Sequence, residues 1–536
     1  MYYFILSYIF IYEWIMSFCF TNTNILIKCI TLKLNKFILK ISISMTVVTR
    51  FAPSPTGYLH IWSLRTVLYN YLYAKQKGGK FLLRIEDTDR TRLVEGSVEN
   101  MIDVLTQVWL TPDEGPNKPW DVWPYYQSER LEIYRKYVDE LISKDKAYYC
   151  FCSSQRLSEL REEQTELWLP TKYDKKCRYL TDEEIKEKLD SGVEYTVRLK
   201  VPEGQKVTFT DTVKGKIEVD TKDIDEQVLL KSDGFPTYHL ANVVDDHLMG
   251  VTHVIRWDEW TPSAPKHVLM YNAFGWEHPV FSHIPLLLAT GGKKLSKRTW
   301  DVSAEIFIEK WYMVESIINY ISLLGWNPKT TEEFFTMDEL IERFNIDHVN
   351  KSWAIFDVER LNFFNAHYLK TLELKDVYDK LLIHLEKYDR DFYDKIKSYP
   401  DEYNMNILNE LRLRMKKFNE YKDLTTYFYW DANVASQDLF INPKMKIDDM
   451  WVVKKSLELT KNILEDTNNS LDNVADIKDI FVSEIKAADM KNGQVLWPAR
   501  VALSWEEFSP GTLEMIFLLW REESLNRINN VLNTIN

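Results

Sequence analysis

Arg50-Phe-Ala-Pro-Ser54-Pro-Thr-Gly-Tyr-Leu-His60-Ile-Trp62-Ser63 is the stretch whose reading decides the fold. Ahead of it, Val47–Phe51 is a short apolar run of strand type, and Ala52–Tyr58 is a loop of Pro, Ser and Gly. His60–Lys77 carries Leu64, Val67, Leu68, Tyr71 and Leu72 at helical spacing, and Phe81–Ile85 is a second apolar run. Strand, loop, helix and strand at these lengths make a βαβ unit, so a parallel sheet is expected. The loop ends at a helix start, where orphan N–H groups and the helix dipole suit a phosphate. His60 stands there to donate to phosphate oxygens. Taken alone, one histidine near a helix start reads as a cap or a packed side chain.

Outward from this stretch, the 536 residues are 45% apolar and 27% charged, which excludes a disordered or collagen-like chain. That length leaves room for roughly three or four domains. The net charge of −13 does not advertise a nucleic-acid binder, so any such binding must use local basic surface. Five cysteines are too few for a disulfide scaffold and suit a reducing compartment. Residues 1–44 contain no Arg and one acidic residue, Glu13. Their apolar run Tyr2–Phe20 is about long enough to span a bilayer, but Glu13 interrupts it and no cation precedes it. We read 1–44 as translated leader ahead of a start at Met45, with a targeting or anchoring segment as the alternative. Residues 126–235 are more charged. Tyr238–Val244 and Val251–Ile255 read as a return to the sheet, and 373–536 reads as all helix.

A second motif is Gly291-Gly-Lys-Lys294-Leu-Ser296-Lys297-Arg298, a glycine turn followed by four cations within six residues. Such a loop can clamp a polyphosphate while charge develops on it. By itself it reads as a solvated basic turn.

Together the two motifs resemble the paired signatures of class I aminoacyl-tRNA synthetases. Arg84-Ile-Glu86-Asp-Thr-Asp-Arg90, Tyr126-Gln-Ser-Glu-Arg130 and Pro262-Ser-Ala-Pro-Lys-His267 narrow the resemblance to glutamyl-tRNA synthetases, over 45–536. The resemblance implies an α/β fold, with a Rossmann-type parallel-sheet catalytic domain in two halves, 45–125 and 236–300. An α+β acceptor-binding insertion would occupy 126–235, a stem-contact region 301–372, and an all-α anticodon-binding domain 373–536. It implies activation of L-glutamate by ATP with Mg²⁺, then transfer to tRNA-Glu, by a cytoplasmic monomer without membrane attachment. Whether tRNA-Gln is also a substrate stays open. Arg50, Ala52, Ser54, Glu86, Tyr238, Asn242 and Arg256 would hold the glutamate. His60, Ser63, Lys294, Ser296, Lys297 and Arg298 would hold ATP, with His60, Lys294 and Lys297 steadying the reacting phosphate. Two arginines facing one dicarboxylate make physical sense, because a glutamine would leave a buried cation unpaired. Without the resemblance, each of these charged residues reads as a surface ion pair.

Cys150, Cys152 and Cys177 form a C-x-C…C pattern within the insertion. Three thiolates need a fourth ligand for tetrahedral zinc. Since some relatives bind zinc in this insertion, Tyr173 is the candidate, with Tyr179 the other choice. Cysteines are also ordinary small core residues.

Glycine numbers only 16, fewer than the 18 tryptophans. Eleven tryptophans (62, 109, 120, 123, 168, 257, 300, 311, 353, 505 and 520) stand where the resembling family has glycine. Trp260, Trp276, Trp326 and Trp497 stand where it has tryptophan. A code that reads UGA as glycine, translated as though UGA meant tryptophan, produces this pattern. If the indoles are real, the chain reads instead as a catalytically inactive, tRNA-binding paralogue.

Overall fold

The computed structural model describes residues 46–120, 122–292, 303–429 and 436–535. Residues 1–44, Trp300 and the residues Lys294, Ser296, Lys297 and Arg298 of the second motif lie outside the described residues.

The strands, in chain order, are β1 (Val48–Phe51), β2 (Lys80–Leu83), β3 (Ala147–Cys150), β4 (Thr196–Leu199), β5 (Lys206–Asp211), β6 (Gly215–Asp220), β7 (Val228–Leu230), β8 (His253–Trp257) and β9 (Val280–Ile284), followed by a parallel pair, β10 (Leu287–Ala289) and β11 (Ala354–Phe356). β1 and β2 pair in parallel, Val48 opposite Lys80, as the βαβ reading requires. The crossover helix Ile61–Gln76 buries Ile61, Leu64, Val67, Leu68 and Leu72, the i, i+3, i+4 face that its sequence provides. β8 and β9 also pair in parallel, and Thr252 N–H donates to Val48 C=O at 3.0 Å, which ties this half to β1. Asn70, inside the crossover helix, donates to Ile255 C=O at 3.1 Å and stitches the two halves together.

β3, β4 and β7 form an antiparallel sheet within residues 126–235. The β5–β6 hairpin, whose β5 alternates exposed and buried side chains, joins β9 and β8 in one four-stranded sheet. Residues from 126–235 and from 236–300 therefore share a sheet, meeting where Asp211 pairs with Phe281.

One reading is corrected. Tyr238–Val244 is not a strand; Tyr238–Leu248 is a helix, and only His253–Trp257 returns to the sheet. Leu240, Ala241, Val243 and Val244 satisfy helical spacing as well as a buried strand does, and short apolar runs are ambiguous between the two. The consequence is functional: Tyr238, Asn242 and Asp246, four residues apart, share one helix face.

From Leu374 to the end, every regular element among the described residues is helical, packed around one apolar core that includes Leu381, Ile407, Phe481 and Met515. Among the described residues no helix is long and apolar enough to cross a membrane.

Ten described non-glycine residues have φ in the left-handed region, and five of them are tryptophans: Trp109, Trp168, Trp311, Trp505 and Trp520. All five belong to the set of eleven. Trp260, Trp276, Trp326 and Trp497 are absent from the ten. Trp109, Trp168, Trp311 and Trp505 terminate helices with φ between 56° and 68°, the position that glycine ordinarily takes because it has no Cβ. Trp520 has φ 58° and ψ 171°, a conformation essentially reserved for glycine.

Candidate active site

A cavity of about 730 Å³ opens between the C-terminal ends of β1 and β8 and the start of the crossover helix. Of the residues read from sequence as glutamate or ATP contacts, nine are described, and all nine line it: Arg50, Ala52, Ser54, His60, Ser63, Glu86, Tyr238, Asn242 and Arg256. Ligands gather at the carboxyl ends of parallel strands, where the loops leave the sheet. Arg50 stands on β1, Arg256 on β8, and Glu86 just beyond β2. Tyr238 and Asn242 come from the helix that sequence alone read as strand.

Behind the cavity lies a charge network that the sequence reading missed. Arg84, with no exposed surface, donates to Asp246 at 2.7 Å and to Glu86 at 3.2 Å. Arg50 Nε donates to Asp246 at 3.1 Å, which leaves the tip of its guanidinium toward the cavity. Asp245 accepts from Arg130, Gln127 and Tyr134, each at 2.8 Å. The Asn242 amide lies beside Arg84, Asp246 and Glu86; turned so that its oxygen faces the guanidinium (3.1 Å) and its nitrogen the Asp246 carboxylate (3.3 Å), it satisfies both. Burial pushes the Asp246 carboxyl up, but Arg50 and Arg84 outweigh it and hold the group below the usual range. For Glu86 burial wins over Arg84 and Arg50, and its carboxyl is pushed up. A buried carboxylate in that condition gains most from one more cation. The available signal was the pair Asp245-Asp246 in an apolar helix, together with Arg84 after an apolar strand, because buried charges must be partnered.

The other end of the cavity is different. His60 occupies the N-cap position of the crossover helix, and the Trp62 indole stacks on its ring with centres 4.3 Å apart. Trp257 projects from the end of β8 and donates through its indole N–H to Thr66 Oγ1. Both indoles line the cavity. Gly291 and Gly292, which open the basic motif, have φ of 91° and 77°, so the turn uses the freedom that glycine supplies.

Away from the cavity, the Sγ atoms of Cys150, Cys152 and Cys177 lie within 4.8 Å of one another. Tyr173 Oη is 3.4 Å from the Sγ of both Cys150 and Cys152 and accepts from the Cys177 N–H at 3.0 Å. Tyr179 is exposed and donates to Glu203 instead, so of the two tyrosines weighed, Tyr173 is the one at the cluster. A hydrogen bond from Cys177 favours the thiolate of Cys150 and lowers its pKa. Three soft thiol donors converging with a phenol oxygen fit a tetrahedral zinc.

Residues 46–363 match the family model described as tRNA synthetases class I (E and Q), catalytic domain, and 376–532 match the anticodon binding domain. Fold and site together define a class I aminoacyl-tRNA synthetase. A glutamate–tRNA ligase of Clostridium botulinum is 42% identical over 90% of this chain and 98% of its own length. One from Clostridium kluyveri is 43% identical over 90% of this chain and 96% of its own. A crystal structure of a glutamate tRNA ligase from Elizabethkingia meningosepticum, in complex with its amino acid, superposes with a TM-score of 0.82 at 32% identity, covering 92% of this chain and all of that one. The chain belongs to the glutamate–tRNA ligase family.

Proposed function

We infer that the chain activates L-glutamate with ATP to glutamyl-adenylate and transfers the glutamyl group to the 3′-terminal adenosine of tRNA-Glu. One observation carries this reading: a single cavity brings two buried arginines, Arg50 and Arg256, together with Glu86 and the start of the crossover helix. Arg50 and Arg256 take the substrate carboxylates, and Glu86 takes the ammonium, whose charge offsets the cost of burying Glu86. Ala52 and Ser54 shape and orient the amino acid, with Tyr238 and Asn242 closing its far side. His60 and Ser63 face the triphosphate at the helix N-terminus, and Lys294, Ser296, Lys297 and Arg298 close on it from the basic loop. Mg²⁺ accompanies ATP. Catalysis is then positioning and preorganised charge, with no covalent enzyme intermediate.

Cys150, Cys152, Cys177 and Tyr173 would hold zinc, which supplies a structural crosslink in the insertion. The enzyme is read as a cytoplasmic monomer with tRNA-Glu as substrate and tRNA-Gln as the second tRNA to test. The helical domain after residue 373 would bind the anticodon, through local basic surface on an acidic chain. The comparisons do not favour the inactive paralogue.

The indoles at the glycine positions belong to the same reading: the functional polypeptide carries glycine at the eleven positions. Each L-residue held in the left-handed region costs roughly 1–2 kcal/mol, against total stabilities of about 5–15 kcal/mol. Codons and peptide masses from the native protein decide it, UGA and glycine at the eleven against UGG and tryptophan at Trp260, Trp276, Trp326 and Trp497. UGG at all of these sites would bring the inactive paralogue forward. For the activity, the test is pyrophosphate exchange and tRNA charging. Exchange driven by glutamate and not glutamine is expected, and none with either amino acid would overturn the reading. Charging should weaken steeply with salt.

A further inference from the structure

Arg256 differs from the other buried arginines of the site. Arg50 and Arg84 are paired with Asp246. Among the described residues, no carboxylate forms an ion pair with Arg256, although only 6% of the residue is exposed. Its Nη1 donates to Tyr238 Oη at 2.7 Å. Its Nε donates to His283 Nε2 at 3.0 Å. Arg256 and His283 are register partners on the adjacent parallel strands β8 and β9, which places their side chains on one face of the sheet.

An N–H donor at Nε requires a lone pair on His283 Nε2, so the imidazole proton must sit on Nδ1. There it meets Asp211 Oδ2 at 2.6 Å. Asp211, the last residue of β5, also accepts the N–H groups of His283 at 3.0 Å, Val213 at 3.0 Å and Lys214 at 2.8 Å. Four donors fill its two oxygens and fix its orientation. Burial, with help from Arg256, lowers the His283 pKa against the pull of Asp211. All three side chains are buried.

The arrangement solves a specific problem. A buried guanidinium that must receive a substrate carboxylate has to be held rigidly without being neutralised first. A carboxylate at position 283 would hold it but would cancel its charge. A neutral imidazole holds Nε and leaves the charge free, while Asp211 one ring away fixes the tautomer. We propose that His283 and Asp211 are positioning residues that orient Arg256 toward the substrate carboxylate and thereby set the affinity for glutamate. This rests on the reading of Arg256 as a glutamate ligand. It also makes the β5 edge of the insertion part of the amino-acid site, because Asp211 belongs to that hairpin.

Binding and exchange kinetics of His283→Leu, His283→Gln and Arg256→Ala, each in the full chain with tRNA present, test it. His283→Leu removes the acceptor, and the glutamate KM should rise about tenfold or more, as a lost hydrogen bond to a charged group implies, with the ATP KM within about twofold of the parent. His283→Gln keeps an acceptor for Arg256 Nε and should recover most of the glutamate affinity. Asp211→Asn puts a donor among four donors and should behave like His283→Leu. A His283→Leu variant with unchanged glutamate KM overturns the relay alone, provided Arg256→Ala still loses glutamate. Equal loss of glutamate and ATP affinity in both His283→Leu and His283→Gln also overturns it, since a merely structural role moves both. Should Arg256→Ala bind glutamate normally, or the parent bind none, the reading of Arg256 fails and the relay with it.

Discussion

At one end of the cavity, Arg50, Glu86, Tyr238, Asn242 and Arg256 are each held by named partners on neighbouring elements. At the other end, Trp62 and Trp257 lay two indoles against the mouth of the crossover helix. The first end is consistent at every level: buried charges are partnered, helix spacing delivers Tyr238 and Asn242 to one face, and strand register delivers Arg256 and His283 together. At the second end the indoles make contacts, Trp62 on His60 and Trp257 to Thr66, but they fill the cavity mouth, and the same residue type breaks backbone rules at Trp109, Trp168, Trp311, Trp505 and Trp520. Natural chains place strain where function needs it. Helix ends on an exposed surface, such as Trp168, are not such places. The difference teaches that a misfit confined to one residue type points to that residue's identity rather than to mechanism.

The largest effect should follow from breaking the well-formed end. Arg84→Met removes the cation that donates to both Asp246 and Glu86, leaving Arg50 on Asp246. It should cost about 3–5 kcal/mol, the usual penalty for orphaning a buried charge. Guanidinium denaturation measures it; a loss below about 1 kcal/mol would mean that the network is hydrated in solution.

Acid should attack the same end next. His239 and His267 lie 3.2 Å apart beneath Tyr238, and burial holds His239 at about 4 in the folded protein. In the unfolded chain its pKa is near 6.5. Between these values the unfolded chain takes a proton that the folded one refuses, so stability is lost as pH falls through 6.5 toward 4. The loss is on the order of 3 kcal/mol from His239. Denaturation midpoints between pH 7 and 4 read the slope, and His239→Gln should flatten it.

Relieving the ill-formed end sharpens the comparison. Trp62→Gly with Trp257→Gly should improve the ATP KM by about tenfold, the scale of relieving one overpacked site, and leave glutamate affinity unchanged. No change in ATP use would mean that the indoles are accommodated. The smallest effect is at a helix end remote from the cavity. Trp505→Gly should raise stability by roughly 1 kcal/mol through its left-handed backbone, without altering either KM. A melting curve decides it.

Much of the fold was legible because its signals are local. The β1–loop–helix–β2 unit shows in apolar spacing, and the helical C-terminal domain shows in three- and four-residue periodicity. The site residues on these elements were legible because resemblance supplied what spacing could not. The helix at Tyr238–Leu248 was misread because four apolar residues in seven satisfy both periods, and the sheet beside it decides which one forms. Arg84, Asp245 and Asp246 were passed over because charge in an apolar run says that a partner exists without saying which.

The sequence by itself determined the βαβ start, the family, the residues that line the cavity and the anomaly of its tryptophans, because these are carried by neighbours along the chain. Only the tertiary structure decided that Tyr173 rather than Tyr179 reaches the cysteines, that Asp246 joins Arg50 to Arg84, and that Asp211 stands behind His283 and Arg256. Those contacts join residues up to 196 positions apart, and only burial in a shared low-dielectric interior gives charges at that separation a reason to meet.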